Sequence, residues 1–222
     1  MKKLLLKAII KFLSGVLAVG LFLFLPAGTW YYPNGWLFCA LLFVPMLFTG
    51  IWLFLKEPDL LSKRLNSKEQ ESEQKWVIAL SSLMFVGGFV LCGLAFRFGW
   101  SHLPVAVVAV AAIVMLAGYM LYAFVMKQNA YLSRTVEVQE NQKVISTGLY
   151  GIVRHPMYTA TLLLFLSMPL VLGSFYAFLL FLIYPFVLVK RIKNEEAVLE
   201  KGLQGYTAYK QKVKYKIIPF IW

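Results

Sequence analysis

Arg154, His155, Pro156 and Tyr158 stand in the stretch "GLYGIVRHPMYTATLLLF", at the mouth of an apolar run that continues to Val189. Proline is favoured at the first position of a helix, where its missing N–H costs nothing. That places His155 at the cap and Arg154 just before it. A helix start offers free N–H groups and the positive end of the dipole, and so attracts anions. With a guanidinium added, the element suits a carboxylate or a phosphate. The plainer use of such residues is headgroup contact and snorkelling. Beyond the run, Glu195 and Glu196 follow in "KRIKNEEAVLEKGLQGYTAYKQKVKYKIIPFIW". Alone, they read as a solvated helix face, with Glu195 pairing to Arg191 one turn earlier. Tyr206, Tyr209 and Val213 recur at helical spacing and predict a helix packed back on the protein.

The elements that must position these residues belong to a membrane protein. The 222-residue chain is 60% hydrophobic and 14% charged, against about 45–50% and about 25% in soluble domains. Its mean hydropathy is +0.72. Apolar runs cover residues 8–28, 35–55, 76–96, 104–126 and 157–189. A bilayer core takes about 20 residues per helix, so the first four runs give one span each. The fifth is too long for one helix, and Pro169 with Gly173-Ser174 marks a turn within it. It predicts a hairpin of two short arms, 157–171 and 175–189, each reaching about 23 Å. The expected fold is an all-α integral membrane protein with four transmembrane helices plus a C-terminal helical hairpin, about six membrane helices in all. Two regions follow from this: 1–126, the four-helix membrane part, and 127–222, the part that carries the chemistry.

Charge sets the orientation. Every Lys and Arg except Arg97 lies in one of four segments: the first eleven residues, 56–75, 127–156, and the tail after Val189. All four share one side in this topology, and the positive-inside rule makes that side cytoplasmic, with both termini. The net charge of +12 is then a topology and anionic-lipid signal, and nucleic acid is not needed as a partner. All ten Asp and Glu fall in the same segments, which argues against an ion pump or channel. Cys39 and Cys92 lie in apolar runs as small hydrophobes. With His102 and His155 the only histidines, no metal is expected. His102 is given no role. The N-terminal run is read as a retained anchor rather than a signal peptide. Trp30, Tyr31, Tyr32, Trp36 and Trp100 are expected in an interfacial belt. Leu60, Leu61 and Leu65, in a solvated or surface-lying helix, would touch the membrane face. "TVEVQENQKVIS" suggests a small hairpin around Glu140-Asn141.

The hairpin begins just after His155 and ends just before Lys190, so the cation site and the carboxylate pair converge on the same side. A ligand with a carboxylate at one end and hydroxyls or a positive centre at the other would suit them. S-adenosylmethionine is such a ligand, its carboxylate toward Arg154 and its ribose or ammonium toward a glutamate.

As an ordered set, Gly148, Tyr150, Arg154, His155, Pro156, Tyr158, Glu195, Glu196, Tyr206, Tyr209, Val213 and Pro219 resemble the isoprenylcysteine carboxyl methyltransferase family, within the wider group that includes phospholipid N-methyltransferases. The resemblance covers about 80 C-terminal residues. It implies S-adenosylmethionine as cofactor, bound by Gly148, Tyr150, Arg154, His155, Pro156, Tyr158, Glu195, Glu196, Tyr206 and Tyr209. Arg154, Glu196 and Tyr158 are the expected catalytic residues. It also implies a hydrophobic or lipid-modified acceptor entering from the bilayer. The chain departs from the family pattern at Gln142, Gly202-Leu203 and Lys214. A carboxylate acceptor would need no general base. An amine or thiol would need proton loss, with His155 or Tyr158 as candidates. The alternatives are phospholipid N-methylation, small-thiol S-methylation, a sterol-reductase-like enzyme using NADPH, and a non-catalytic membrane scaffold. Oligomeric state is not readable from the sequence.

Overall fold

The computed structural model describes residues 1–66 and 72–222, the side chains of Ser72 and Glu73 apart. Among the described residues every regular element is helical. Four long apolar helices come first: α1 (Lys2–Ala27), α2 (Pro33–Lys56), α4 (Ser72–Phe98) and α5 (Val105–Gln128), with the short α3 (Pro58–Leu65) between α2 and α4. A loop ending in a 3₁₀ turn, Gly148–Gly151, leads to α6 (Pro156–Val171), α7 (Phe175–Phe181), α8 (Tyr184–Gly202) and α9 (Tyr206–Lys212). Five described stretches are long and apolar enough to cross a membrane: Lys2–Ala27, Pro33–Lys56, Gln74–Phe98, Val105–Gln128 and Phe175–Gly202. The shorter Pro156–Val171 is the apolar partner of the last. α1 and α2 bury only a few side chains. Helices apolar all round with so little protein cover are what lipid contact requires.

The tightest pairing is α5 on α6. Gly118 makes it possible, since a Cβ there would lie 3.0 Å from Leu164 Cγ and 3.2 Å from the Leu164 backbone nitrogen. Around this contact Met115, Leu164, Met168, Phe181, Tyr184 and Leu188 form the main core with Leu23, Phe38 and Cys92. The turn between α6 and α7 forms where expected. Gly173 takes a left-handed φ of +78°, and Ser174 caps α7 by accepting from the Ala177 N–H.

Several expectations need correction. The second arm of the hairpin is not one helix over 175–189. It breaks after Phe181 and restarts at Tyr184 with Pro185 in its first turn, because proline has no N–H to continue the preceding ladder. It then runs on to Gly202, since "KRIKNEEAVLEK" contains no breaker. Glu195 and Glu196 thus ride on the rigid extension of a membrane arm. Leu60 and Leu61 do not face lipid. They are buried against Leu53, Val125, Met126 and Tyr150, with Leu4 and Ala8 of α1 beside them. The remainder of that loop, 67–71, lies outside the described residues. Tyr32 leaves the aromatic belt: it is buried, and its hydroxyl donates to the Leu172 carbonyl at 2.5 Å. Trp30, Tyr31, Trp36 and Trp100 remain exposed. The turn at Glu140-Asn141 exists, closed by Gln142 N–H on the Gln139 carbonyl. No strand flanks it among the described residues.

Candidate functional site

Pro156 occupies the first turn of α6 and His155 its cap, as the proline rule demands. The free N–H groups before the helix do not wait for an anion. Arg154 N–H donates to the Tyr215 carbonyl at 2.9 Å and His155 N–H to that of Lys216 at 2.8 Å. Thr159 Oγ1 adds a bond to the Ile217 carbonyl at 2.7 Å. The chain after α9 therefore runs along the start of α6 as an extended strap.

The Arg154 side chain is buried and largely occupied. Its Nε donates to Glu196 Oε1 at 2.8 Å, and its Nη1 donates to the carbonyls of Val213 at 2.7 Å and Lys214 at 2.8 Å. His155 Nε2 meets the same Glu196 oxygen at 3.0 Å. Lys210 Nζ lies 3.7 Å from Glu196 Oε2. Glu196, expected on a solvated face, is buried within this knot. Burying a charge is tolerated only with such a full set of partners.

Glu195 points the other way. It accepts a short hydrogen bond from the Tyr158 hydroxyl, which in turn accepts from Arg191 Nε at 2.8 Å. Arg191 and Glu195 are thus joined through Tyr158, replacing the direct pair expected from their spacing. Arg191 Nη2 also donates to the Arg134 carbonyl at 2.9 Å.

A second set of predicted residues builds the frame. Gly148 sits at φ +59°, and a side chain there would run into Gln128, whose Oε1 accepts from the Leu149 N–H at 3.0 Å. The Tyr150 hydroxyl accepts from Asn129 Nδ2 at 2.8 Å. The Tyr150 carbonyl accepts from the Tyr209 hydroxyl at 2.7 Å. Tyr206, Tyr209, Leu203 and Val213 form a small core with Val138 and Val144, so α9 packs back as its spacing predicts. Burial pushes the Tyr209 hydroxyl up to about 12 and drives that of Tyr206 upward as well; both stay protonated donors at neutral pH. The Tyr206 hydroxyl is buried without a hydrogen-bond partner among the described residues.

These groups surround one cavity of about 560 Å³. One end is polar, lined by Arg154, His155, Glu195, Thr135, Tyr206 and Tyr209. The other runs between helices and is lined by Leu42, Met46, Phe85, Leu164, Phe165 and Met168. Tyr158 and Arg191 also line the cavity. Of the predicted site residues, Tyr150, Arg154, His155, Tyr158, Glu195, Tyr206 and Tyr209 line the cavity. Gly148, Pro156 and Glu196 support it from behind. Sequence reasoning missed Arg64 and Arg134, both on the lining, and the strap carbonyls that hold Arg154. A signal for Arg64 was present: it follows Leu60 and Leu61 by four and three residues, which puts it on their face of α3. Nothing in the residue types of 213–217 announces the use of their main chain.

The chain aligns with a Delta(14)-sterol reductase of Mus musculus at 29% identity over 91 residues, which is 40% of this chain and 22% of that protein. The chain thus spans under a quarter of the length of the curated relative it matches. Residues 109–201 match the model of the isoprenylcysteine carboxyl methyltransferase (ICMT) family. That stretch holds α5, the Arg-His-Pro-x-Tyr element, the hairpin and the glutamate pair, and over it the chain is ICMT-like, as the order of its motif residues anticipates.

Proposed function

We propose that this protein is an S-adenosylmethionine-dependent methyltransferase of the membrane, acting on a lipidic or hydrophobic acceptor from the cytoplasmic side. Methylation of a carboxylate like that of isoprenylcysteine is the favoured reaction. The observation that carries the reading is a cavity lined both by the family's motif residues and by apolar side chains of the long helices. The basic residues gathered around the polar end support a cytoplasmic location.

The polar end fits the cofactor chemically. The buried, unpartnered Tyr206 hydroxyl offers a donor. Glu195 offers an anionic acceptor for hydroxyls or an ammonium. Arg154 lines the cavity and has Nη2 without a hydrogen bond among the described residues, its other nitrogens being taken. Arg154 is therefore mainly a positioning residue, fixing Glu196, His155 and the strap, rather than the free clamp that the motif suggests. When bound, S-adenosylmethionine supplies an electrophilic methyl on a sulfonium.

The protein's own work is alignment and removal of water, which are strong contributors to a displacement reaction. Tyr158 is the lining residue with the firmest hold. Its hydroxyl is held by Glu195 on one side and Arg191 on the other, so it cannot swing away. A carboxylate acceptor needs no proton moved. With a thiol, amine or hydroxyl acceptor, the proton would pass to the Glu195 carboxylate, directly or through Tyr158 Oη, with Arg191 holding the intervening oxygen. Lipid bilayer is the surrounding partner, and the acceptor enters along the apolar arm.

A reductase reading has one observation in its favour, the partial match to a sterol reductase. Thermal melting of the purified protein separates the two. S-adenosylmethionine should raise the melting temperature and NADPH should not, and Tyr206→Phe with Glu195→Ala should erase the shift. A shift with NADPH alone would overturn the proposal. Incubation of membranes with methyl-labelled cofactor then identifies the acceptor by what becomes labelled.

A further inference from the structure

Arg64 lies outside the stretch that matches the family model and outside the motif, yet it lines the cavity. It reaches there from α3, whose Leu60 and Leu61 are locked into the protein, so the side chain is carried by a fixed element. The contact recorded for its guanidinium is the face of Tyr122, with Cζ 5.3 Å from the ring centre. Among the described residues no carboxylate pairs with it. The groups acting on it most strongly are Arg134, Tyr158, Arg191 and Tyr150. Burial, and after it the charge of Arg134, pull the Arg64 guanidinium down to about 10, which leaves it charged at neutral pH. Arg191 stands on the same wall, tied through Nε to Tyr158 and through Nη2 to the Arg134 carbonyl. The guanidiniums of Arg64, Arg134 and Arg191 thus border one cavity, where Glu195 accepts from Tyr158 and Glu137 from Ser133 and Thr135. Among the described residues these three guanidiniums outnumber the two carboxylates of the lining, Glu137 and Glu195, and arginines suit oxyanions.

We propose that Arg64, seconded by Arg134 and Arg191, anchors the oxyanion of an acidic single-chain amphiphile whose tail lies along the apolar arm of the cavity. The inference rests on the acceptor entering this cavity, as argued above, and adds a selecting residue from outside the stretch that matches the family model. The oxyanion is a carboxylate or a phosphate.

The test uses the full-length protein in a neutral maltoside detergent. Dodecanoate, dodecyl phosphate, dodecanol and dodecyltrimethylammonium are titrated while melting temperature and binding are followed. Dodecanoate or dodecyl phosphate should bind at least tenfold more tightly than dodecanol, and the stronger of the two names the headgroup class. Arg64→Gln should remove that preference, Arg64→Lys should keep part of it, and both should bind S-adenosylmethionine as the parent does. Equal binding of dodecanol, or a preference that survives Arg64→Gln in a folded variant, overturns the anchor. S-adenosylmethionine titrated in parallel keeps the two ideas apart. If it fails to bind while the anion preference holds, the methyltransferase reading falls and the anchor stands.

Discussion

Arg154 and Arg64 line the same cavity under opposite conditions. Arg154 is enclosed by Glu196, by His155 across the shared carboxylate, and by the carbonyls of Val213 and Lys214. Arg64 has an aromatic face and two further arginines around it. The motif arginine is therefore spent on architecture, and the arginine outside the motif is left with binding capacity. A residue type that is prominent in a family pattern need not be the one that touches the ligand. Partners decide that, and partners are set by the fold.

The largest effect that would sharpen this contrast is Arg154→Ala. It takes from buried Glu196 its closest cation, leaving His155 and Lys210, and bares two main-chain carbonyls, and should cost about 3–5 kcal/mol, read as a large drop in melting temperature. Adding Glu196→Ala should return part of that loss, because the carboxylate left short of a partner goes, while the carbonyls of Val213 and Lys214 stay bare. A double variant no better than the single would break the account of the knot. Next comes Tyr158→Phe, which removes the hydroxyl between Glu195 and Arg191. About 1–3 kcal/mol of stability should go with it, and labelled methyl transfer should fall further than the affinity for S-adenosylmethionine. Tyr206→Phe should leave melting within about 0.5 kcal/mol of the parent, since its hydroxyl has no partner to lose. Its signature is weaker cofactor binding, about tenfold or about 1.4 kcal/mol by calorimetry. The smallest effect is Arg64→Gln on the ligand-free protein. Loss of the contact with Tyr122 and relief of an unpaired charge oppose each other, so melting should move by about 1 kcal/mol at most, and not downward by more. A destabilisation like that of Arg154→Ala would erase the distinction.

Much of this was legible in the sequence. The four long helices follow from apolar runs of bilayer length, and the cap at His155 from Pro156. The turn at Gly173-Ser174 follows from a glycine that adopts left-handed φ, and the packed α9 from the spacing of Tyr206, Tyr209 and Val213. What could not be read was pairing at a distance. Glu195 and Glu196 are adjacent and chemically identical, yet one meets Tyr158 and the other Arg154, because neighbours on a helix point about 100° apart. The restart of α8 at Tyr184-Pro185 was visible as a proline and passed over inside an apolar run. The inward turn of Leu60 and Leu61 was misread, and Arg64 missed with it, because a short basic helix between two spans looks the same whether it faces lipid, water or protein.

The strap from Val213 to Ile217 carries one more implication, for biosynthesis. Its carbonyls complete the hydrogen bonding of Arg154, His155 and Thr159, about sixty residues upstream. While the ribosome is still making α8 and α9, those donors have no mates, and the pocket still lacks Tyr206 and Tyr209. The hairpin can form early, but the site is complete only once this late segment emerges and lies down, so shortened translation products would carry an unfinished site.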